Sequence, residues 1–190
     1  MSSLKTQIPV WDPLIRVFHW SLVFFFFVAY LLEGDRPNLH SQAGYTVLLL
    51  IIFRLFWGFW GTRHARFSDF VKSHRSALLY LKSLVDRKPQ SHEGHDPLGG
   101  FMILALMCCL FITTLTGVIL FGMEGSGPLA NSSLIDFPGK AIEDLHGLFA
   151  DLSVILILFH VLGVLTVSWL SGQNLIKSML TGRKNKRQSN

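Results

Sequence analysis

This sequence of 190 residues is short of charge. Asp, Glu, Lys and Arg make up 15% of it, where a soluble domain carries about 25%. It has two cysteines, the neighbours Cys108 and Cys109. Adjacent cysteines on one helix do not form a structural disulfide, so both read as small packing residues. There is no C-x-x-C-H, which excludes covalent c-type haem. No repeat of fixed period is present. No A-x-A-like site follows the first apolar run, which is also longer than a signal-peptide core, so it is expected to stay as a span. What is abundant is apolar: half the residues are hydrophobic, with 16 Phe and 5 Trp. That excludes a disordered chain and argues against a soluble enzyme. The length suits a single domain over 1–190.

Four apolar runs are long enough to cross a bilayer, which takes about 20 residues. The spans fall at about 14–32, 41–61, 98–122 and 145–170. The first includes Val23–Val28 with four consecutive Phe, and the third holds no charged residue. The runs are apolar on every side, unlike the striped helices of a soluble bundle. They do not alternate as barrel strands would. The predicted fold is therefore all-α, an integral membrane four-helix bundle.

Lys and Arg gather in three places: the N-terminal flank (Lys5, Arg16), the loop 62–97 and the tail 175–190. The other two loops hold only Arg36 and Lys140, beside Glu33, Asp35, Glu124, Asp136, Glu143 and Asp144. The positive-inside rule then predicts cytoplasmic termini and a cytoplasmic middle loop. The net charge of +5 reads as topology and lipid contact, not a nucleic-acid surface. Within the middle loop, Phe67, Phe70, Val71, Ala77, Leu78, Leu81 and Leu84 mix helical spacing with basic residues. An amphipathic helix on the inner membrane surface is expected. The loop Met123–Ala141 is rich in turn formers, and the last ten residues are expected to be disordered.

Eight histidines are present. His64, His74 and His92 lie in the basic loop and read as surface residues. His19, His40, His146 and His160 lie in or at the ends of the spans, where an ionisable group is costly and points to function. His146 and His160 are 14 residues apart, which is roughly 21 Å and just under four turns of helix. One helix thus offers two imidazoles on nearly one face, at two depths. With alternating span directions, His19 shares the level of His160 and His40 that of His146. Cofactor sites in bundle cores are built from such facing side chains. His95, just before the third span, is the rival to His19.

Two His per level, with no Cys, Asp or Glu to complete a zinc set, point to six-coordinate haem iron. Gly44, Gly147 and Gly163 lie beside these His, where a flat macrocycle needs close backbone approach; helix–helix packing explains each equally well. Arg54 follows His40 by 14 residues and is placed to pair with a haem propionate. Arg16 is a second such candidate, though snorkelling to the membrane surface is its simpler role.

The segments WDPLIRVFHW (Trp11–Trp20), HSQAGYTVLLLIIFRLFWG (His40–Gly58), HDPLGGFMILAL (His95–Leu106), LHGLFADLSVILILFHVLGVL (Leu145–Leu165) and NLIKSMLTGRK (Asn174–Lys184) together resemble the bacterial cytochrome b561 family. That family includes the b-type cytochrome subunits of nickel–iron hydrogenases. The resemblance covers nearly the whole chain. It implies two non-covalent haem b groups with bis-histidine ligation, His19 with His160 and His40 with His146, in a bacterial inner membrane. It also implies electron transfer between the quinone pool (ubiquinone or menaquinone) and a periplasmic partner, a c-type cytochrome or an oxidoreductase subunit. Many members carry Glu after the fourth-helix His, where this chain has Gly147.

Bis-histidine ligation leaves no open iron position, which suits electron transfer before stand-alone catalysis. As an enzyme the chain would be a quinone-linked oxidoreductase. One such reading, oxidation of superoxide to reduce ubiquinone, needs a positive funnel at the outer face, and Arg36 and Lys140 are the only candidates there. A haem-free metal transporter and a passive membrane anchor for a larger oxidoreductase are further alternatives. The acidic outer loops suit a basic periplasmic partner, and equally suit plain exclusion of positive charge.

Overall fold

The computed structural model describes residues 7–34, 36–88, 92, 94–130, 132, 135 and 138–185. Four long helices dominate it: α1 (Pro13–Leu31), α2 (Pro37–Trp60), α5 (Pro97–Met123) and α6 (Gly139–Ser171). All four are long and apolar enough to cross a membrane. Large apolar side chains such as Phe24, Leu49, Phe56, Leu158 and Phe159 are more than half exposed. Water would penalise so much apolar surface, whereas lipid solvates it. The chain is a multi-pass helical membrane protein.

Pro stands at the first position of α1, α2 and α5, where its missing N–H costs nothing and its fixed φ suits a helix. Two of these starts share one device. Asp12 Oδ1 accepts from Ile15 N at 2.9 Å, and Asp96 Oδ1 accepts from Gly99 N at 2.8 Å. Each is an N-cap bond that satisfies an orphan donor of the first turn.

The chain divides into two compact units. One is built from Phe18–Arg54 and Ala105–Ile157. It contains a stretch of each long helix. Phe26 (α1), Val47 and Ile51 (α2) and Leu110 (α5) form its buried core, with Val154 and Ile157 of α6 packed against them.

The other unit comprises the chain before Phe18, Leu55–Leu104 and the chain after Ile157. It holds a 3-10 turn (Arg63–Ala65), α3 (Phe67–Phe70), α4 (His74–Val85) and α7 (Leu175–Thr181). It also holds a two-stranded antiparallel sheet, β1 (Gln7–Pro9) against β2 (Arg183–Asn185), with Ile8 opposite Lys184. The fold is thus helical with one small sheet. The expectation of a disordered tail fails for 181–185, since α7 ends on Gly182 at φ +78°, a conformation glycine adopts without strain. Gly182 O then accepts from Val10 N and Trp11 N at 2.8 and 3.1 Å. Residues 186–190 lie outside the described residues.

Asp12 does more than cap. Its Oδ2 accepts from Trp57 Nε1 at 3.3 Å and from Thr62 Oγ1 at 2.5 Å. Burial alone would raise this carboxyl, but the donors from Thr62, Ile15 and Trp57 outweigh it and hold the pKa below its ordinary value. Asp12→Ala removes the cap and strands the indole N–H. Thermal unfolding should show a loss of about 2–3 kcal/mol, and Asp12→Asn, which keeps an acceptor, a smaller one.

The middle loop differs from the single helix expected across Phe67–Leu84. Ser73 interrupts it by capping α4, its Oγ accepting from Ser76 N at 3.2 Å. The inward face of α4 is Ala77 and Tyr80, while Leu78, Leu81 and Val85 are 64%, 44% and 75% exposed. These three stand at i, i+3 and i+7, flanked by exposed Arg75 and Lys82. An apolar stripe edged by basic residues is the pattern of a helix lying on a membrane surface. His64 and His92 are not the surface residues expected. His64 Nδ1 lies 3.0 Å from Asp69 Oδ2, and His92 packs edge-on to Tyr80 at 5.3 Å. His74 is exposed.

Candidate functional site

In the unit formed by Phe18–Arg54 and Ala105–Ile157, α2 and α6 bring His40 and His146 together. Their ring centroids are 6.0 Å apart, with the planes at 71°. Each ring is held by a neighbouring helix. His40 Nδ1 lies 2.9 Å from Ala29 O on α1, and His146 Nδ1 lies 2.9 Å from Thr113 O on α5. A carbonyl only accepts, so Nδ1 carries the proton in both rings. Nε2 of each is therefore left as a lone-pair donor. A carbonyl on the far nitrogen is the usual orientation device of a metal-ligating histidine.

Two imidazoles on opposite sides of a metal, with bonds of about 2 Å, hold their ring centres roughly 6 Å apart. The observed separation fits. Both rings border a cavity of about 180 Å³, whose apolar lining includes Phe26, Val47, Leu110 and Phe121. Among the described residues, no three His, Cys, Asp or Glu side chains gather as a metal-ion site. This donor set is two nitrogens in an apolar cleft, which suits a flat macrocycle that brings its own equatorial donors.

The glycines divide. Gly44 and Gly147 line the cavity, and a Cβ built on either meets no atom within 4 Å. A side chain there would occupy cavity space. Gly163 is exposed with open space around it, so nothing in its surroundings demands glycine. Glu33 and Asp151 give the cavity an acidic rim.

Arg54 is 3% exposed. A guanidinium stays charged and is buried only with hydrogen-bonding company. Arg16 Nη1 donates to Leu180 O at 2.6 Å and ties α1 to the end of α7. His19, half-buried on α1, lies in the same unit as His40 and packs edge-on to Trp20 at 5.1 Å. His160 is half-buried on the α6 stretch of the other unit. His95 is held between aromatic rings, 4.4 Å from Trp11 and 5.1 Å from Phe70 by centroids.

Three residues of α5 were missed by sequence reasoning: Thr113, Thr116 and Gly117. Thr113 supplies the carbonyl for His146, and Thr116 Oγ1 lies 3.2 Å from the same Nδ1. A Cβ on Gly117 would stand 3.0 Å from His146 Cε1. The available signal was polarity within a charge-free span, Thr113-Thr114-Leu115-Thr116-Gly117.

Of the acids expected in outer loops, Glu124 follows α5 and Glu143 and Asp144 stand in the first turns of α6, and all three are exposed. Lys140 Nζ bridges Glu143 at 3.4 Å and Asp144 at 3.0 Å. Asp35 and Asp136 lie outside the described residues.

A family model described as prokaryotic cytochrome b561 matches residues 10–182. Relatives carrying the name "Probable Ni/Fe-hydrogenase B-type cytochrome subunit" are similar over almost the full length. The proteins from Azotobacter chroococcum and Azotobacter vinelandii are each 25% identical, covering 94% of this chain and 88% of theirs. That from Rhizobium leguminosarum is 23% identical, covering 95% and 90%.

Proposed function

Because the chain belongs to the prokaryotic cytochrome b561 family, and so is a membrane b-type cytochrome, we propose that it carries electrons across the bacterial inner membrane. In this reading two haem b groups link the quinone pool to a periplasmic redox partner. The observation that carries it is the His40–His146 pair, with both Nδ1 protons committed to carbonyls and both Nε2 atoms available. Haem b supplies a one-electron carrier whose potential the protein sets.

His40 and His146 would hold one haem through their Nε2 atoms. Ala29 and Thr113 lock their tautomers. Phe26 and Phe121 give the pocket apolar walls. His19 and His160 are assigned to the second haem by motif and spacing. Arg54 serves a propionate, since its buried guanidinium is suited to a bidentate carboxylate. Arg16 is the weaker propionate candidate, since its Nη1 already donates to Leu180 O. The charge pattern supports cytoplasmic termini, with the His40–His146 pair at the outer level.

The names of the relatives favour an oxidoreductase subunit of the hydrogenase type over a c-type cytochrome as the partner. Superoxide oxidation fits less well. The rim acids Glu33 and Asp151 repel an anion, and Lys140 is already engaged by Glu143 and Asp144.

Stopped-flow absorbance of the purified protein in liposomes separates these readings. A short-chain quinol should reduce the b-type spectrum within the dead time to seconds. Superoxide should reduce it far more slowly. Fast reduction by superoxide with none by quinol would reverse the assignment.

A further inference from the structure

We propose that Thr116 on α5, a helix with no histidine in the pair, is a positioning residue that sets the electron affinity of the His40–His146 haem through His146. The inference rests on the ligand assignment above and goes beyond it.

His146 Nδ1 has one proton and two acceptors, Thr113 O at 2.9 Å and Thr116 Oγ1 at 3.2 Å. The Thr116 hydroxyl proton is spent elsewhere, on Ile112 O at 2.8 Å and Thr113 O at 2.9 Å. Its oxygen therefore meets the imidazole with lone pairs. Thr116 is only 5% exposed, so water does not compete for the contact. His40 differs: its Nδ1 faces Ala29 O, a backbone acceptor that side-chain substitution leaves in place. The pair is asymmetric, and α5 holds its adjustable half. Gly117, one residue on, leaves room for the ring itself.

An acceptor on the far nitrogen makes an imidazole a stronger donor, which favours ferric over ferrous iron. Thr113 O stays in any Thr116 variant, and removing the second acceptor, Thr116 Oγ1, should raise the midpoint potential of this haem alone.

The test is a potentiometric titration of the purified holoprotein, followed in the visible spectrum, for Thr116→Val and Thr116→Ser. The component belonging to this haem is the one that disappears in His146→Ala. Thr116→Val should favour its reduced form about tenfold, a rise of about 59 mV for one electron. Thr116→Ser should restore the native value, and the other haem should not move in either. An unchanged potential in Thr116→Val, or equal shifts in both haems, overturns the proposal. Should the valine variant fail to assemble, Thr116→Ala, which also removes the hydroxyl and adds no bulk, supplies the same decision: its potential for this haem should rise, and an unchanged potential overturns the proposal. Failure of the ligand assignment looks different: His146→Ala would then keep both haems.

Discussion

Replacing His146 with alanine should leave the protein with one haem instead of two. The redox titration should lose one whole component. The same component should vanish in His40→Ala, although that residue sits on a different helix. The reason is the arrangement of donors: one Nε2 from α2 and one from α6, with ring centres 6.0 Å apart. Among the described residues, no other imidazole lines the cavity. An apolar pocket alone holds a macrocycle only by burial, and loss of an axial bond takes away the largest single attachment. His64→Ala, by contrast, removes an imidazole bound to Asp69 and should keep both haems. Two different components lost in the two variants would contradict the pairing.

The second large effect concerns Lys184 and pH. Its ammonium is buried, donating to Gly94 O at 2.9 Å and lying 5.4 Å from the Trp11 ring centroid. Burial lowers its pKa from the ordinary 10.5 to about 8, although the Asp96 carboxylate pulls the other way. Below pH 8 both the folded and unfolded chains hold the proton, and the fold carries the full cost of burying the charge. Between about pH 8 and 10.5 only the unfolded chain holds it. Stability should therefore rise with pH across that window, by about 3 kcal/mol if nothing else titrates. Lys184→Met removes the charge, keeps most of the stem and forfeits one hydrogen bond. At pH 7 it should be more stable than the native chain by about 1–2 kcal/mol, with the alkaline rise gone. The midpoint of SDS-induced unfolding, measured from pH 7 to 10.5, reads both. A native curve flat in pH would show that Lys184 is not held in this environment.

Much of this architecture was legible because a bilayer imposes simple rules. Uninterrupted apolar runs had to be helices, and the histidines inside them could be ranked by depth from spacing alone. The Asp-Pro pairs at 12–13 and 96–97 carry a capping signal that the apolar runs alone did not use. What escaped depended on tertiary contact. β1 and β2 are three residues each, and neither has local propensity enough to announce a strand. They exist because Gly182 turns the chain back beneath Val10 and Trp11. Arg16 looked like a snorkelling residue because its partner, Leu180 O, is 164 residues away. Thr116 and Gly117 escaped because α5 carries no charge and its Thr113, Thr114 and Thr116 are not confined to one face. With no polar stripe, the sequence does not say which face turns toward α6. On α4 the same ambiguity misled: Leu78 and Leu81 were grouped with Ala77, but only Ala77 and Tyr80 face inward.

The account stands on two iron sites, each closed by two imidazoles, and quantitative low-temperature EPR of the fully oxidised protein tests it most directly. It predicts two low-spin ferric signals per chain and no high-spin signal. The signal lost in His146→Ala should be strongly anisotropic, because imidazole planes at 71° leave two iron d orbitals nearly equal in energy. One spin per chain, or a high-spin signal from iron with an open axial position, would contradict it.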